Sequence, residues 1–540
     1  MTIVATGRPR RTARAAFAPV PWDEQHPRKR DIEQRLGADH LALRLAAAVA
    51  RLDLEPLYAG YGNTGSEPFP PERLLGVVLF EVQRGQHSPA AWHRDAVENE
   101  AVRWLLRGLC PSRSCWYAFR DRVAPVLDAL NAQPLLLAQG QGLTAAARGS
   151  LDGTLVAANA SRHKLVNAAT LQARAAAVEA AVAADGGAAP AAPAGAAPAP
   201  AAGADPAGAP PTAMPALPAA AAAAPSWLAR SPAGRQRQQR RLRQAQQRLA
   251  ALQARNRAKR SSKRAPAERI VVSLSDPEAV AGYDKEDVYR PLYNVQVVDD
   301  LDSPFVLGYE VFAQPNDAGL LPTMLQRVGQ LAGHGLKAVL TDTAYAGGAD
   351  LAAAAAAAVT VYAPLPVEGQ KAEKQIPKSA FKWEAATQTY TCPAGHRLEH
   401  ERSSWQKRSG PEAVLLQQYR CPAAHCRGCP LAARCTPNPQ AGRTISRSEH
   451  EDQVEALRQR MASPEAKALY RLRSQSVELV NADWKEHRQL RRFSGRGLRR
   501  ARAQVGLIVL AHNLLTLLSQ EKKKAEAARA LAVNPTASAP

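Results

Sequence analysis

Ser150-Leu151-Asp152-Gly153-Thr154-Leu155-Val156-Ala157-Ala158-Asn159-Ala160-Ser161 and, far downstream, Val339-Leu340-Thr341-Asp342-Thr343-Ala344-Tyr345 decide the fold. Each attaches an aspartate to an apolar run, and an apolar run that ends in Asp reads as a buried strand delivering a carboxylate at its tip. Between them lie three more runs of β-branched and aromatic residues: Ile270-Val271-Val272, Tyr293-Asn294-Val295-Gln296-Val297-Val298 and Phe305-Val306-Leu307-Gly308-Tyr309-Glu310-Val311. These predict strands, the first leading into the others through a long polar loop. A helix is expected over 319–333, followed by the strand that carries Asp342. Strands, then helix, then strand predict a mixed α/β sheet with helices on both faces. A third acidic word, Tyr470-Arg471-Leu472-Arg473 with Val477-Glu478-Leu479 and Lys485, lies in helical sequence. Three carboxylates brought together would hold two Mg²⁺ ions, an arrangement suited to phosphoryl transfer. Asp276, Asp299, Asp300 and Asp317 compete for that role. Of these, Asp317 is expected to cap the following helix and Asp276 to sit in a turn or cap.

These words resemble those of DDE-type bacterial insertion-sequence transposases, in particular those with an N-terminal helical domain and a cysteine-bearing insertion. In that family the first Asp lies in a D-G-T-x-V-x-A-N-A-S stretch, which Asp152 to Ser161 reproduces. The second lies in an apolar-D-x-x-Y stretch, matched by Asp342 and Tyr345. The Glu belongs to a Tyr/Arg/Glu/Lys signature on a C-terminal helix, matched by Tyr470, Arg473, Glu478 and Lys485. Ser275-Asp276-Pro277-Glu278-Ala279, Tyr293-Asn294-Val295-Gln296 and a tail from Gly497-Leu498-Arg499-Arg500 to Ala511-His512-Asn513-Leu514 agree as well. The likeness covers roughly residues 35–165 and 265–520. It implies an RNase H-like catalytic core in which Asp152, Asp342 and Glu478 hold Mg²⁺ (or Mn²⁺), with Tyr470, Arg473 and Lys485 on phosphates. It also implies double-stranded DNA as partner, both terminal inverted repeats and target, and a homodimer on that DNA. The reaction implied is hydrolysis at insertion-sequence ends followed by 3′-hydroxyl strand transfer. The alternatives are a catalytically inactive DNA-binding remnant and a related nuclease that cuts without joining. Two departures stand out: Arg473 and Glu478 are one residue further apart than in the broader signature, and Asn481 replaces the family's aromatic three residues after the Glu.

Composition agrees with a nucleic-acid partner. The 540-residue chain carries 70 Lys+Arg against 48 Asp+Glu, a net charge of +22. Such an excess favours a phosphate backbone through counterion release; the plainer alternative is a solvated arginine-rich surface. Residues 235–264 hold twelve Lys or Arg and no acid, and a second basic cluster over 485–502 lies just beyond Glu478. No run of 18 or more apolar residues occurs outside alanine-rich stretches broken by Pro and Gly, so no membrane span is expected. The N-terminus lacks an apolar signal core, and a bacterial cytoplasmic, nucleoid-associated protein is the expectation.

The chain divides accordingly. Residues 1–35 read as a flexible basic arm, and 36–125 as an N-terminal helical DNA-binding domain, the alternative being a bundle that packs on the core. Within it Ser112-Arg113-Ser114 opens a helix whose Arg113 and Arg120 would face phosphates. Residues 146–170 and 265–365 form the first parts of the core. Between them, 171–264 reads as a helical hairpin whose basic stem would contact flanking DNA, interrupted by a disordered Ala/Pro-rich linker over 186–225. A cysteine-rich insertion (380–445), the C-terminal part of the core (446–520) and a disordered tail (521–540) follow.

The insertion carries Cys392, Cys421, Cys426, Cys429 and Cys435. Paired cysteines across a short turn suit structural Zn²⁺, and Cys426-x-x-Cys429 is the best such pair. Either Cys392 or Cys421 is surplus to a four-ligand site, with His396 and His425 competing, and free thiols are the alternative. A zinc held by four protein ligands has no open position, so its role would be structural. Cys110 and Cys115 lie elsewhere, in the helical segment.

Overall fold

The computed structural model describes residues 16–62, 67–187, 225–259, 261–365, 376–407 and 413–533. They form two compact units, one of residues 1–160 and 282–540 and one of residues 161–281.

The larger unit is built on a six-stranded sheet. Its strands are β1 (Arg148–Ala157), β2 (Val280–Tyr283), β3 (Tyr289–Asp300), β4 (Val306–Phe312), β5 (Ala338–Leu340) and β6 (Thr360–Tyr362). The order is β2-β3-β1-β5-β6, with β4 also paired to β3. β1, β3 and β4 run antiparallel in sequence, whereas β5 and β6 run parallel to β1. The parallel strands need crossovers. Leu321–Ala332 supplies the one before β5, with Leu321, Met324, Val328 and Leu331 buried at helical spacing. β3 is buried from Pro291 to Asp300, as a central strand covered on both faces must be.

One helix braces this sheet. Leu498–Val533 packs on β4 and on two N-terminal helices, Pro71–Gln83 and Leu127–Gly140. Gly506 lets it approach closely, since a side chain there would strike the Tyr309 ring. Asn513 locks it in place by exchanging two hydrogen bonds with the Val306 backbone at 2.8 and 2.9 Å. The helix is long and apolar enough to cross a membrane, but 78% of its apolar stretch is buried inside the unit, as befits a core helix. Residues 521–533, expected in the tail, continue this helix; 534–540 lie outside the described residues.

The N-terminal helices share this unit rather than forming a separate compact body. Ser112 caps the helix it was expected to open, and Ser88 caps the helix Pro89–Glu98. Part of the expected arm is also structured: Pro27–Leu36 is a helix and Trp22 is buried. Residues 1–15 lie outside the described residues.

The same unit carries a five-stranded antiparallel meander of β7 (Lys382–Glu384), β8 (Thr389–Thr391), β9 (Arg397–Lys407), β10 (Ala413–Arg420) and β11 (Thr444–Ser448). Its core is Phe381, Tyr390, Leu398, Tyr419 and Ile445, together with the buried Cys421 and Cys426.

The second unit is a helical hairpin on a two-strand ladder. Ala168–Gly187 and Pro232–Arg257 pack through Leu171, Val178, Leu242, Ala245 and Leu249, and Arg235 ties them by its ion pair to Asp185. The i, i+3, i+7 spacing of Leu242, Ala245 and Leu249 puts all three on one face. Arg237, Arg240 and Arg243 are left exposed. Of the expected linker, 186–225, residues 188–224 lie outside the described residues, and Gly186 and Gly187 end the first helix.

Candidate active site

The register of β1 against β5 brings the first two aspartates together. The parallel ladder pairs Arg148, Gly149 and Ser150 with Ala338, Val339 and Leu340. Asp152 and Asp342 each lie two residues past the last pair, at the same level on adjacent strands and, by the two-residue side-chain period, on the same face. Asp342 follows the strand end, as expected, and its carboxylate accepts from Ala344 N at 2.7 Å to open the turn Thr343–Tyr345. Asp152 differs from expectation. It stands in mid-strand, opposite Val297, because the apolar residues after it keep β1 paired with β3. Its side chain lies beyond the last residue pair with β5, against Arg473 and Asn481.

The third carboxylate arrives on a broken helix. Tyr470 ends the helix Pro464–Arg471, Arg473 lies in a 3-10 turn (Leu472–Gln475), and Glu478 begins the helix Val477–Glu486. The signature therefore does not lie on one helix. The break at Ser476 (φ −116°, ψ −97°) folds Arg473 back against Glu478, which uninterrupted helical spacing would not do. The end of β1 anchors the segment that follows. Phe493 N donates to Ala157 O at 2.9 Å, Ala157 N donates to Arg491 O at 3.2 Å, and the Asn159 amide donates to Ser494 O.

Arg473 joins two of the three acids, donating to Asp152 at 2.9 Å and to Glu478 at 3.1 Å. Asn481 donates its amide to the other oxygen of Asp152 at 3.0 Å. Asn481 is a site residue whose role was not legible: its only signal was the departure from the family's aromatic. Asn481 is buried with its amide aimed at the first carboxylate.

Burial raises the Asp152 pKa, Arg473 and the Gly153 N–H oppose the rise, and Asp342 adds to it. Tyr470 titrates above its usual value, mainly through burial, and Arg473, Asp342, Glu478 and Asp152 all act on its hydroxyl. Burial lowers the Lys485 pKa, with Lys285 and Arg491 lowering it further and Asp152 raising it. Asp152, Asp342, Glu478, Tyr470, Arg473 and Lys485 thus gather in one place, joined by Lys285.

A buried polar network supports the floor. The Tyr345 hydroxyl donates to Gln296 Oε1. The amides of Gln296 and Asn294 both donate to Asp317 at 2.7 Å. A Cβ on Gly153 would collide with Gln296 and Asp317, so that position demands glycine. Asp317 is therefore not the helix cap expected of it. The helix Leu321–Ala332 starts without a side-chain cap, and the amides of β3 hold Asp317 instead.

Other expected site residues stand apart. Arg113 is exposed at the start of Arg113–Val123, but Arg120 is buried, lies over the Tyr117 ring and pairs with Asp121 at 3.0 Å. Aromatic packing and the ion pair engage it, so it does not present a free cation to phosphate. In the meander Cys392, Cys421, Cys426 and Cys435 share the core cluster, and burial pushes the Cys421 thiol up to about 12. Cys429 lies beside Cys435, and His396 stacks on His425 at 4.5 Å. All seven cysteines are free.

Carboxylate oxygens are the donors that a hard divalent cation takes, and thiolates the donors that zinc takes. Placement is another matter: among the described residues no group of three or more His, Cys, Asp or Glu is positioned to hold a metal ion. At the acidic site the Arg473 guanidinium occupies oxygens of two of the three candidate ligands.

No curated protein and no solved structure matches the chain. Residues 391–518 match a family model described as a transposase DDE domain. That span takes in most of the meander, Tyr470, Arg473, Glu478, Lys485 and the first part of the bracing helix, and it begins after Asp152 and Asp342. The match covers 128 of the 540 residues and supports a DDE-type transposase, a family that implies DNA as partner.

Proposed function

We propose that the chain is a DNA transposase that hydrolyses a strand at the ends of its own element and joins the freed 3′-hydroxyl to target DNA. The convergence of Asp152, Asp342 and Glu478 on one site, with Arg473, Tyr470 and Lys485 around them, carries this reading. The strand order, with β1 central, β3 and its partners β2 and β4 on one side and two parallel strands on the other, supports an RNase H-like core.

A divalent cation held by Asp152, Asp342 and Glu478 would activate the attacking water or hydroxyl and stabilise the leaving oxygen. In the described arrangement Arg473 neutralises Asp152 and Glu478, so loading that cation requires Arg473 to release them. A DNA phosphate gives the guanidinium a new bidentate partner, and Lys485 adds a point charge beside it. Tyr470 holds a hydroxyl at the same place. Arg237, Arg240 and Arg243 of the second unit and Arg113 of the first add sequence-independent phosphate contacts. Zinc remains a proposal for the cysteines of the meander, supported by the clustering of Cys392, Cys421, Cys426 and Cys435; metal analysis of native protein tests it.

The test of the main proposal is a strand-joining assay with labelled element-end DNA and a supercoiled target in Mg²⁺ or Mn²⁺. Joined product is expected. Cut ends without joined product would favour a nuclease, and DNA binding with neither product would favour an inactive remnant.

A further inference from the structure

The hairpin of β2 and β3 projects next to the acidic site, and its tip is pinned in one conformation. The Asp284 carboxylate accepts from Glu286 N at 2.9 Å and Val288 N at 3.0 Å, and pairs with Arg290 at 2.8 Å. Asp287 takes the left-handed conformation (φ 55°) that closes the turn and that Asp tolerates better than most residues. This turn holds Lys285 out in solvent, where it still acts electrostatically on both Asp152 and Lys485. Beside it Tyr283 and Tyr289 stand 63% and 39% exposed, their rings 5.1 Å apart. An exposed tyrosine pair gains little from water and offers a flat face to a ring-shaped partner.

The tip overhangs a depression of about 220 Å³ lined by Gly153, Leu155, Tyr283, Lys285, Pro315 and Asp317. A drug-sized ligand takes roughly 300–1,000 Å³, so this space suits one base and not a whole cofactor. Its lining is apolar at Leu155 and Pro315, aromatic at Tyr283, polar at Asn294 and acidic at Asp284, whose carboxylate the turn and Arg290 already engage, and at Asp317. The acid repels a phosphate but accepts from the amino groups of a base. Lys285, at the rim, has the opposite preference. Gly153, whose missing side chain leaves room for Gln296 and Asp317, adjoins Asp152 in sequence and faces the opposite side of β1.

We propose that this depression is a subsite for a single nucleotide of the DNA strand next to the scissile phosphate. Its base lies against Tyr283 and its phosphate lies at Lys285. The strand would run from Asp152 across the hairpin tip, so that the subsite fixes which phosphate faces the acids. The inference rests on the reading of this site as one that cuts DNA.

The test is equilibrium binding without divalent metal, so that cleavage plays no part. The probe is element-end DNA carrying 2-aminopurine at successive positions flanking the cut. One position should show quenched fluorescence with wild type, regain its emission with Tyr283→Ala and stay quenched with Tyr283→Phe. Affinity should fall roughly 10- to 100-fold in Tyr283→Ala, the worth of one stacked base. Lys285→Gln should lower the salt dependence of binding by about one phosphate contact, and Lys285→Arg should restore it. Equal affinity and equal fluorescence for wild type and Tyr283→Ala would overturn the subsite while leaving DNA binding intact. Failure of the wild type to bind the DNA at all would overturn the underlying reading as well.

Discussion

Replacing Arg473 with Gln removes the cation that joins Asp152 to Glu478. The two halves of this contact differ in worth. Arg473 and Asp152 are 11% and 19% exposed, so their bond at 2.9 Å is a partly buried, charge-assisted one worth about 1.5–3 kcal/mol. Glu478 is 53% exposed, and its bond to Arg473 is screened to about 0.2–1 kcal/mol. The first contact therefore dominates. If the guanidinium, once released from Asp152, makes a charge-assisted bond of the same worth to a DNA phosphate in the transition state, its loss should slow cleavage about 10- to 100-fold. The pH dependence gives a sharper signature. Burial already raises the Asp152 pKa, and Arg473 is the largest influence holding it down. A carboxylate must be ionised to serve as a ligand, so activity is lost as pH falls through its pKa. Removing Arg473 moves that acid limb to higher pH. Rates of end cleavage across a pH series, with wild type beside Arg473→Gln and Arg473→Lys, measure the effect. An acid limb at the same pH in all three proteins would refute the coupling of Arg473 to Asp152.

Three further outcomes follow from the same geometry. Gly153→Ala should lower Tm and cut cleavage at least tenfold, because its Cβ collides with Gln296 and Asp317, at an overpacking cost of about 1–3 kcal/mol; Gly329→Ala, inside a helix with open space around it, should leave cleavage unchanged and raise Tm slightly. Asn481→Ala removes the amide bonded to Asp152 and should slow cleavage by about 10-fold or more with DNA affinity retained, whereas Asn481→Asp, which sets a second carboxylate against the first, should be worse in a single-turnover assay. Asp299 is buried beside Asp300 and Asp152 with neither oxygen hydrogen-bonded, which raises its pKa well above the usual range. The unfolded chain ionises there first, so the stability that protonated Asp299 permits is lost as pH rises from the unfolded towards the folded value. Asp299→Asn should therefore raise Tm by roughly 2–4 °C per kcal/mol recovered, with a gain that grows from acid to neutral pH; a gain independent of pH in calorimetry would contradict this.

Much of this architecture was legible where local pattern and tertiary role coincide. The runs around Tyr293, Phe305 and Val339 are strands because β-branched and aromatic residues there are buried on a sheet, and Leu321–Ala332, within the expected 319–333, is helical at the spacing its apolar residues show. What escaped was set by partners remote in sequence. Asp317 lies just before a helix, as a cap would, but amides from β3 claim it. Asp152 sits in mid-strand because β1 stays paired with β3 through Ala157, a fact of register that no single segment contains. Arg120 lies on a helix with an exposed face, but Tyr117 and Asp121 engage it. The long polar loop hid the hairpin, whose turn depends on the Asp284 carboxylate. Spacing alone would scatter Arg473 and Glu478 around a helix, and only the break at Ser476 brings them together.

The central claim is that Asp152, Asp342 and Glu478 act as one catalytic unit. The most direct test compares Asp152→Asn, Asp342→Asn and Glu478→Gln with the wild type on labelled element-end DNA, scoring binding and strand cleavage in the same reactions. The account predicts that all three variants bind the DNA and none cuts it at the element boundary. Wild-type-like cutting by any one of them would contradict the claim and remove that residue from the active site.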